Sequence, residues 1–173
     1  MGRVTYDVPL ITQAQNPICW VACMAMVASE RVGHSVGVGN YMNGFDPSSA
    51  SIPNPTAGWD DQYRRLQQNG FTSVAANPNA GEIENILRNC GPFILTHYCA
   101  GFPYGPGWTL PTSGTHAIVI TGIDSSVNGG TCWMNNPWGN KDRAVLTSAV
   151  VTALNQIQST SAGSIRAVAY YQP

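Results

Sequence analysis

The stretch QAQNPICW, Gln13 to Trp20, which runs on as VACMAMVASER to Arg31, decides how the rest of the chain is read. A polar segment holding Pro17 passes straight into a run that is apolar nearly all round, lacks internal Gly or Pro, and stops before Gly33. That is the pattern of a buried helix over Cys19 to Arg31. Cys19 then stands at a helix N-terminus, where the partial charge of unpaired N–H groups favours a thiolate. Cys23, one turn further on, has no such position and reads as a core residue. Whether Cys19 is the first residue of the core or a nucleophile depends on its company.

Gln13 lies six residues upstream on the non-helical segment. Its amide can fold back beside the helix start and, with the N–H of Cys19, donate to an oxyanion. Gln15 can do the same at a less favourable spacing. Of the three histidines, His34 sits in the Gly-rich region 33–58 and reads as solvated. His97, in FILTHYC, forms a His-x-Cys pair, but no second ligand pair is spaced to complete a site, so no metal is expected. His116 opens HAIVITGID just after a Gly/Pro-rich loop, where a strand presents a side chain at the end of a groove, and is the best base. Asn135 and Asn136 compete to orient it. If Asp124 pairs with Gly130 across the intervening turn, His116 faces Trp138 and lies diagonal to Asn136 on the same face. A slip of one residue brings Asn135 there instead. Trp138 would then cover the His–Asn pair.

The remaining elements are punctuated clearly. A second helix runs from about Trp59 to Asn69, with Tyr63 and Leu66 inward and Gly70 as a stop. A third follows Asn79, which has Glu82 three residues on in a capping-box-like start and Gly91 at the end. FILTHYC, HAIVITGID, TCWMNN and SIRAVAYY read as strands, with a short helix over 147–157. Helices first and an antiparallel sheet afterwards predict an α+β fold, one domain over 1–173, with the two parts facing each other across a groove. The aromatic, turn-rich loop 101–114 (GFPYGPGWTLPTSG) is expected on the rim of that groove.

Composition excludes other classes. Charged residues are only 10% of the chain, against about 25% in an average soluble domain. With net charge −1 and Lys141 as the only lysine, nothing supports counterion release, so nucleic acid is not an expected partner. The longest apolar run, Cys19 to Ala28, is too short to cross a bilayer, and it lacks the basic leader of an export signal. Five cysteines is an odd number, and an extended run between Cys90 and Cys99 separates them too far for a bond, so no disulfide framework is indicated.

The order Gln13, Cys19-Trp20, His116 and Asn136-Pro137-Trp138-Gly139 resembles the papain-like cysteine peptidases. Within that group, the opening VPLITQAQNPICWVAC resembles the bacterial AvrRpt2-type peptidases, and less closely the bacteriocin-leader peptidases. The resemblance implies a helical lobe carrying the nucleophile helix, packed against an antiparallel sheet lobe with the cleft between them. It implies Gln13 as oxyanion donor, Cys19 as nucleophile, His116 as general base and acid, and Asn136 as orienter. Trp20, Trp108 and Trp138 are the candidate substrate contacts. A protein or peptide substrate is expected, with no metal or cofactor. Two departures stand out: Asn-Pro-Ile precedes Cys19 where the secreted papains have Cys-Gly-Ser, and Asn136 stands where the AvrRpt2 type commonly has Asp. An AvrRpt2-like chain is expected to be an effector or toxin domain delivered by a specialised secretion system, with an inhibitory or immunity protein as a partner. A single lysine would limit ubiquitin attachment in a eukaryotic target. The alternatives are a thiol-dependent amidase, deamidase or transglutaminase, for example on peptidoglycan, and a catalytically silent papain-like module that binds peptides.

Overall fold

The structure is a computed structural model that describes residues 2–13, 18–41, 59–106, 113–159 and 165–172. The first long element is helix α1, Cys19–Val32. Every residue from Cys19 to Ser29 is buried, which is why its apolar residues show no single stripe. Gly33 closes it in the left-handed conformation (φ 73°), its N–H returning to the Ser29 carbonyl at 3.1 Å. At the other end Ile18 offers no side-chain cap. The first N–H groups of α1 are therefore left for another acceptor.

Helix α2, Trp59–Gln68, buries Tyr63 and Leu66 as expected and gives way at Gly70 to strand β2, Phe71–Val74. Helix α3, Ala80–Cys90, begins as its sequence predicts, with Asn79 Oδ1 accepting from the Glu82 N–H at 2.8 Å, and ends at Gly91. Residues 147–157 form the core of helix α4, Thr147–Ser159.

Among the described residues the sheet has seven strands. β2, β7 (Val168–Tyr171), β3 (Phe93–Tyr98), β4 (Thr115–Asp124), β5 (Thr131–Asn136) and β6 (Asn140–Leu146) lie side by side in that order, all antiparallel. β1, Arg3–Thr5, continues along β4 where β3 ends. The sequence reading found β3, β4, β5 and β7 and missed β1, β2 and β6. β1 is a three-residue edge, and β6, NKDRAVL, is mostly polar and solvent-facing, so neither carries the apolar signature of a strand. β4 is buried on both sides from His116 to Ile123 and forms the spine of the sheet. α1 packs on β3, β4 and β7, and α4 on β3, β5 and β6. This is the expected α+β architecture.

The β4–β5 register corrects one expectation while preserving its consequence. Asp124 pairs with Thr131 and not with Gly130. A bulge between Ile120 and Gly122 then absorbs one residue, so that Ile120 faces Met134 and Val119 faces Asn135. The last pair, Val119–Asn135, thus has the register that the wrong turn implied, and beyond it the His116 side chain meets those of Asn136 and Trp138.

Candidate active site

Cys19 is the first residue of α1, and its Sγ sits where helix and sheet meet. The backbone N–H groups of Ala117 in β4, of Trp20 and of Cys19 itself point towards it. The β-ladder explains why Ala117 is available. Thr96, opposite Ala117 in β3, directs its N–H away to the Ala167 carbonyl. In an antiparallel pair Ala117 must then turn its own N–H to the β5 side. There the ladder has already ended at Val119–Asn135, and the sulfur of Cys19 takes the place of a strand. Burial pushes the Cys19 thiol up to about 11, with the Ala117 and Trp20 N–H groups opposing the rise.

His116 immediately precedes Ala117. Its Nε2 lies 2.8 Å from Asn136 Oδ1. The same Oδ1 accepts the backbone N–H of Trp138 at 3.1 Å. Because that N–H can only donate, the atom between the two is the oxygen, and Nε2 of His116 must carry a proton. Nδ1 is then the basic nitrogen. Trp138 stacks on the imidazole at 3.9 Å with the rings 18° from parallel, so the expected cover is present. Burial lowers the His116 pKa to about 4, opposed by the Asn136 hydrogen bond. In this dry site both partners rest neutral.

The turn after β5 also fixes Gln13, whose backbone N–H donates to the Pro137 carbonyl at 2.9 Å. Gln13 is thereby tied to the segment that carries Asn136 and Trp138. Asn135 faces the other way. Its Nδ2 donates to the Val8 carbonyl at 2.8 Å, and its Oδ1 accepts the Asp142 N–H at 2.9 Å. Only Asn136 is brought to His116.

Trp20 is buried in the first turn of α1, and Trp108 lies outside the described residues. His34 is exposed, beside the Val32 carbonyl. In the loop expected on the cleft rim, Gly101, Pro103, Pro106, Ser113 and Gly114 are exposed, but two aromatic side chains turn inward. Phe102 and Tyr104 are buried, their rings 4.4 and 5.6 Å from His97. Turning inward gives the Tyr104 hydroxyl a hydrogen bond to His97 Nε2, and a buried phenol needs such a partner. Sequence reasoning weighed His97 only as a metal ligand and did not single out Tyr104. The meeting of the two histidines depends on the β3–β4 register, which pairs His97 with His116. The five cysteines are free thiols. Among the described residues no group of three or more His, Cys, Asp or Glu is arranged to hold a metal ion.

Residues 3–155 match the family model described as papain-like cysteine protease AvrRpt2. The chain belongs to that family. No curated protein sequence matches it. Among solved structures, it is similar to digestive procathepsin L 3 of the Tenebrio molitor larval midgut, with a TM-score of 0.61 at 12% identity, covering 100% of this chain and 70% of that one. It is also similar to the bromelain protease of Ananas comosus in complex with the E64 inhibitor, with a TM-score of 0.60 at 12% identity over 99% of each chain. A double glycine motif protease from an AMS/PCAT transporter, solved with its leader peptide, has a TM-score of 0.54 at 15% identity, covering 100% of this chain and 99% of that one. At these identities the likeness shows the papain-like fold, and the family match makes the chain a cysteine protease.

Proposed function

We propose that this protease hydrolyses peptide bonds through a Cys19–His116–Asn136 triad with Gln13 as an oxyanion donor. The observation that carries the reading is the joint placement of Cys19 and His116. The thiol lies against the N–H of the residue following His116, while Asn136 occupies Nε2 and leaves Nδ1 as the base. Nδ1 takes the thiol proton, and the thiolate attacks the substrate carbonyl carbon. The negative charge moves onto the carbonyl oxygen, where the Cys19 N–H and the Gln13 amide receive it. The imidazolium then protonates the departing amine as the C–N bond breaks, leaving an acyl-thioester. Water, deprotonated by the same Nδ1, attacks that ester, and the acid leaves as the proton returns to sulfur. A peptide substrate accords with the double glycine motif protease of similar fold, which was solved with a leader peptide.

Digestion of a peptide library by the wild type beside Cys19→Ala tests this. Cleavage by the first and none by the second is expected. Release of crosslinks from purified sacculi, or of ammonia from glutamine, without peptide cleavage would favour an amidase or deamidase. If iodoacetamide labels Cys19 no faster than Cys90 and nothing is cleaved, a silent peptide-binding module is the better account.

The family and the single lysine also support an effector or toxin acting inside a target cell, reached through a specialised secretion system. Lys141 is engaged, with Nζ 2.8 Å from Asp7 Oδ1. Localisation of the tagged protein solely in its producer's cytoplasm, with its substrate there, would refute this.

A further inference from the structure

Beside His116 lies a second polar group that the proposed triad does not use. His97 of β3 is the register partner of His116, so the two side chains share a face, with ring centroids 6.0 Å apart. His97 is fully buried, and its Nε2 meets the hydroxyl of Tyr104, also fully buried. The Tyr104 ring stands 5.8 Å from the His116 ring at 70° to it, and 5.0 Å from Trp138. Phe102 fills the space behind, against His97 and Tyr104. The titratable groups near this cluster are the thiols of Cys19 and Cys99 and the two imidazoles.

Two walls stand around His116. Trp138, nearly parallel to the imidazole, opposes rocking out of its plane. Tyr104, set at 70° with its ring centre 5.8 Å away, stands as a second aromatic wall beside the same imidazole. A phenylalanine would provide the same ring without a buried hydroxyl to satisfy. The hydroxyl, which meets His97 Nε2 in β3 and also hydrogen-bonds the Cys99 thiol, adds a tether that keeps the perpendicular wall from pivoting. We infer that Tyr104, anchored by His97, is a positioning residue that holds His116 with Nδ1 towards Cys19 while Nε2 stays on Asn136. The inference rests on the triad proposed above.

The test uses the whole chain and the library peptide that the wild type cleaves fastest. Tyr104→Phe keeps the ring and removes the hydroxyl with its hydrogen bonds to His97 and Cys99. His97→Gln keeps a group able to hydrogen-bond the hydroxyl, whereas His97→Leu does not. For Tyr104→Phe and His97→Leu, kcat should fall about tenfold or more, as expected when a catalytic group is held loosely, with KM changed less than about twofold. His97→Gln should retain most of the wild-type kcat. Melting curves should show all three folded. Wild-type kcat in Tyr104→Phe, equal losses in both His97 variants, or losses of kcat only in step with losses of folded protein would each overturn the inference. Failure of the triad is seen separately, as a wild type that cleaves nothing and alkylates Cys19 no faster than Cys90. An active enzyme, silenced by Cys19→Ala and indifferent to Tyr104→Phe, would overturn the positioning role alone.

Discussion

Asn136 Oδ1 stands 2.8 Å from His116 Nε2 and is held there by the N–H of Trp138, two residues further along the same turn. A neutral amide thus fixes the tautomer without adding a charge. Asn136→Ala removes the acceptor of two N–H groups and frees the ring, so turnover per folded molecule should fall by about 10² or more, with a loss of stability of about 1–3 kcal/mol per stranded group beside it. Asn136→Asp keeps the acceptor and places a carboxylate beside the imidazole. An adjacent negative charge favours the imidazolium, so the His116 pKa should rise by about 1–3 units. The acidic limb of kcat/KM against pH, below which the base is protonated, should move up accordingly, and an unchanged limb would show that His116 is not the titrating base.

Gln13 is tied by its backbone to Pro137, so replacing its side chain should leave the segment in place. Gln13→Ala should lower kcat by about 10²–10³, the usual cost of an oxyanion donor, with KM little altered. A loss expressed only in KM would mark Gln13 as a substrate-binding residue instead.

Asn135 offers the opposite outcome from its neighbour. Its side chain is fully buried and bridges the Val8 carbonyl to the N–H of Asp142, a residue held at φ 51°. Asn135→Ala would strand both backbone groups, at a cost of about 2–4 kcal/mol. Urea denaturation should show that loss, and kcat per folded molecule should remain near the wild-type value. A variant as stable as the wild type but inactive would reverse the assignment of the two asparagines.

These neighbours show what sequence could and could not decide. Helix α1 and its closing glycine, the Asn79 cap and the strands on either side of His116 were legible because each rests on local pattern. The choice of Asn136 over Asn135 was not, because it depends on register. The turn assumed for the hairpin was wrong by one residue, and the bulge near Thr121 restored the alignment at the far end. A bulge leaves no mark in an alternation of apolar residues when both faces of the strand are buried. The inward turn of Phe102 and Tyr104 was hidden for a similar reason. Among Gly and Pro, two aromatic residues read as surface loop, and only the partner waiting at His97 distinguishes the buried case.

The two facing histidines also set the acid limit of stability. Burial depresses His97 to about 3 and His116 to about 4, both below the ordinary 6.5. In the unfolded chain each would take up a proton near pH 6.5, whereas in the folded protein each resists until one of those lower values is reached. Between these limits the unfolded state binds more protons, so stability must fall as pH falls, by up to about 1.4 kcal/mol per pH unit for each histidine. At the other extreme, burial raises the thiols of Cys19 and Cys132 to about 11. The unfolded chain releases those protons first, so stability should decline again as pH rises above about 8.5–9. Melting temperature against pH should therefore form a plateau from about 6.5 to 8.5 with shoulders on both sides. His97→Gln should flatten the acid shoulder, since one of the two titrating groups is gone. An acid shoulder of unchanged slope in that variant would show that His97 is not held neutral by the fold.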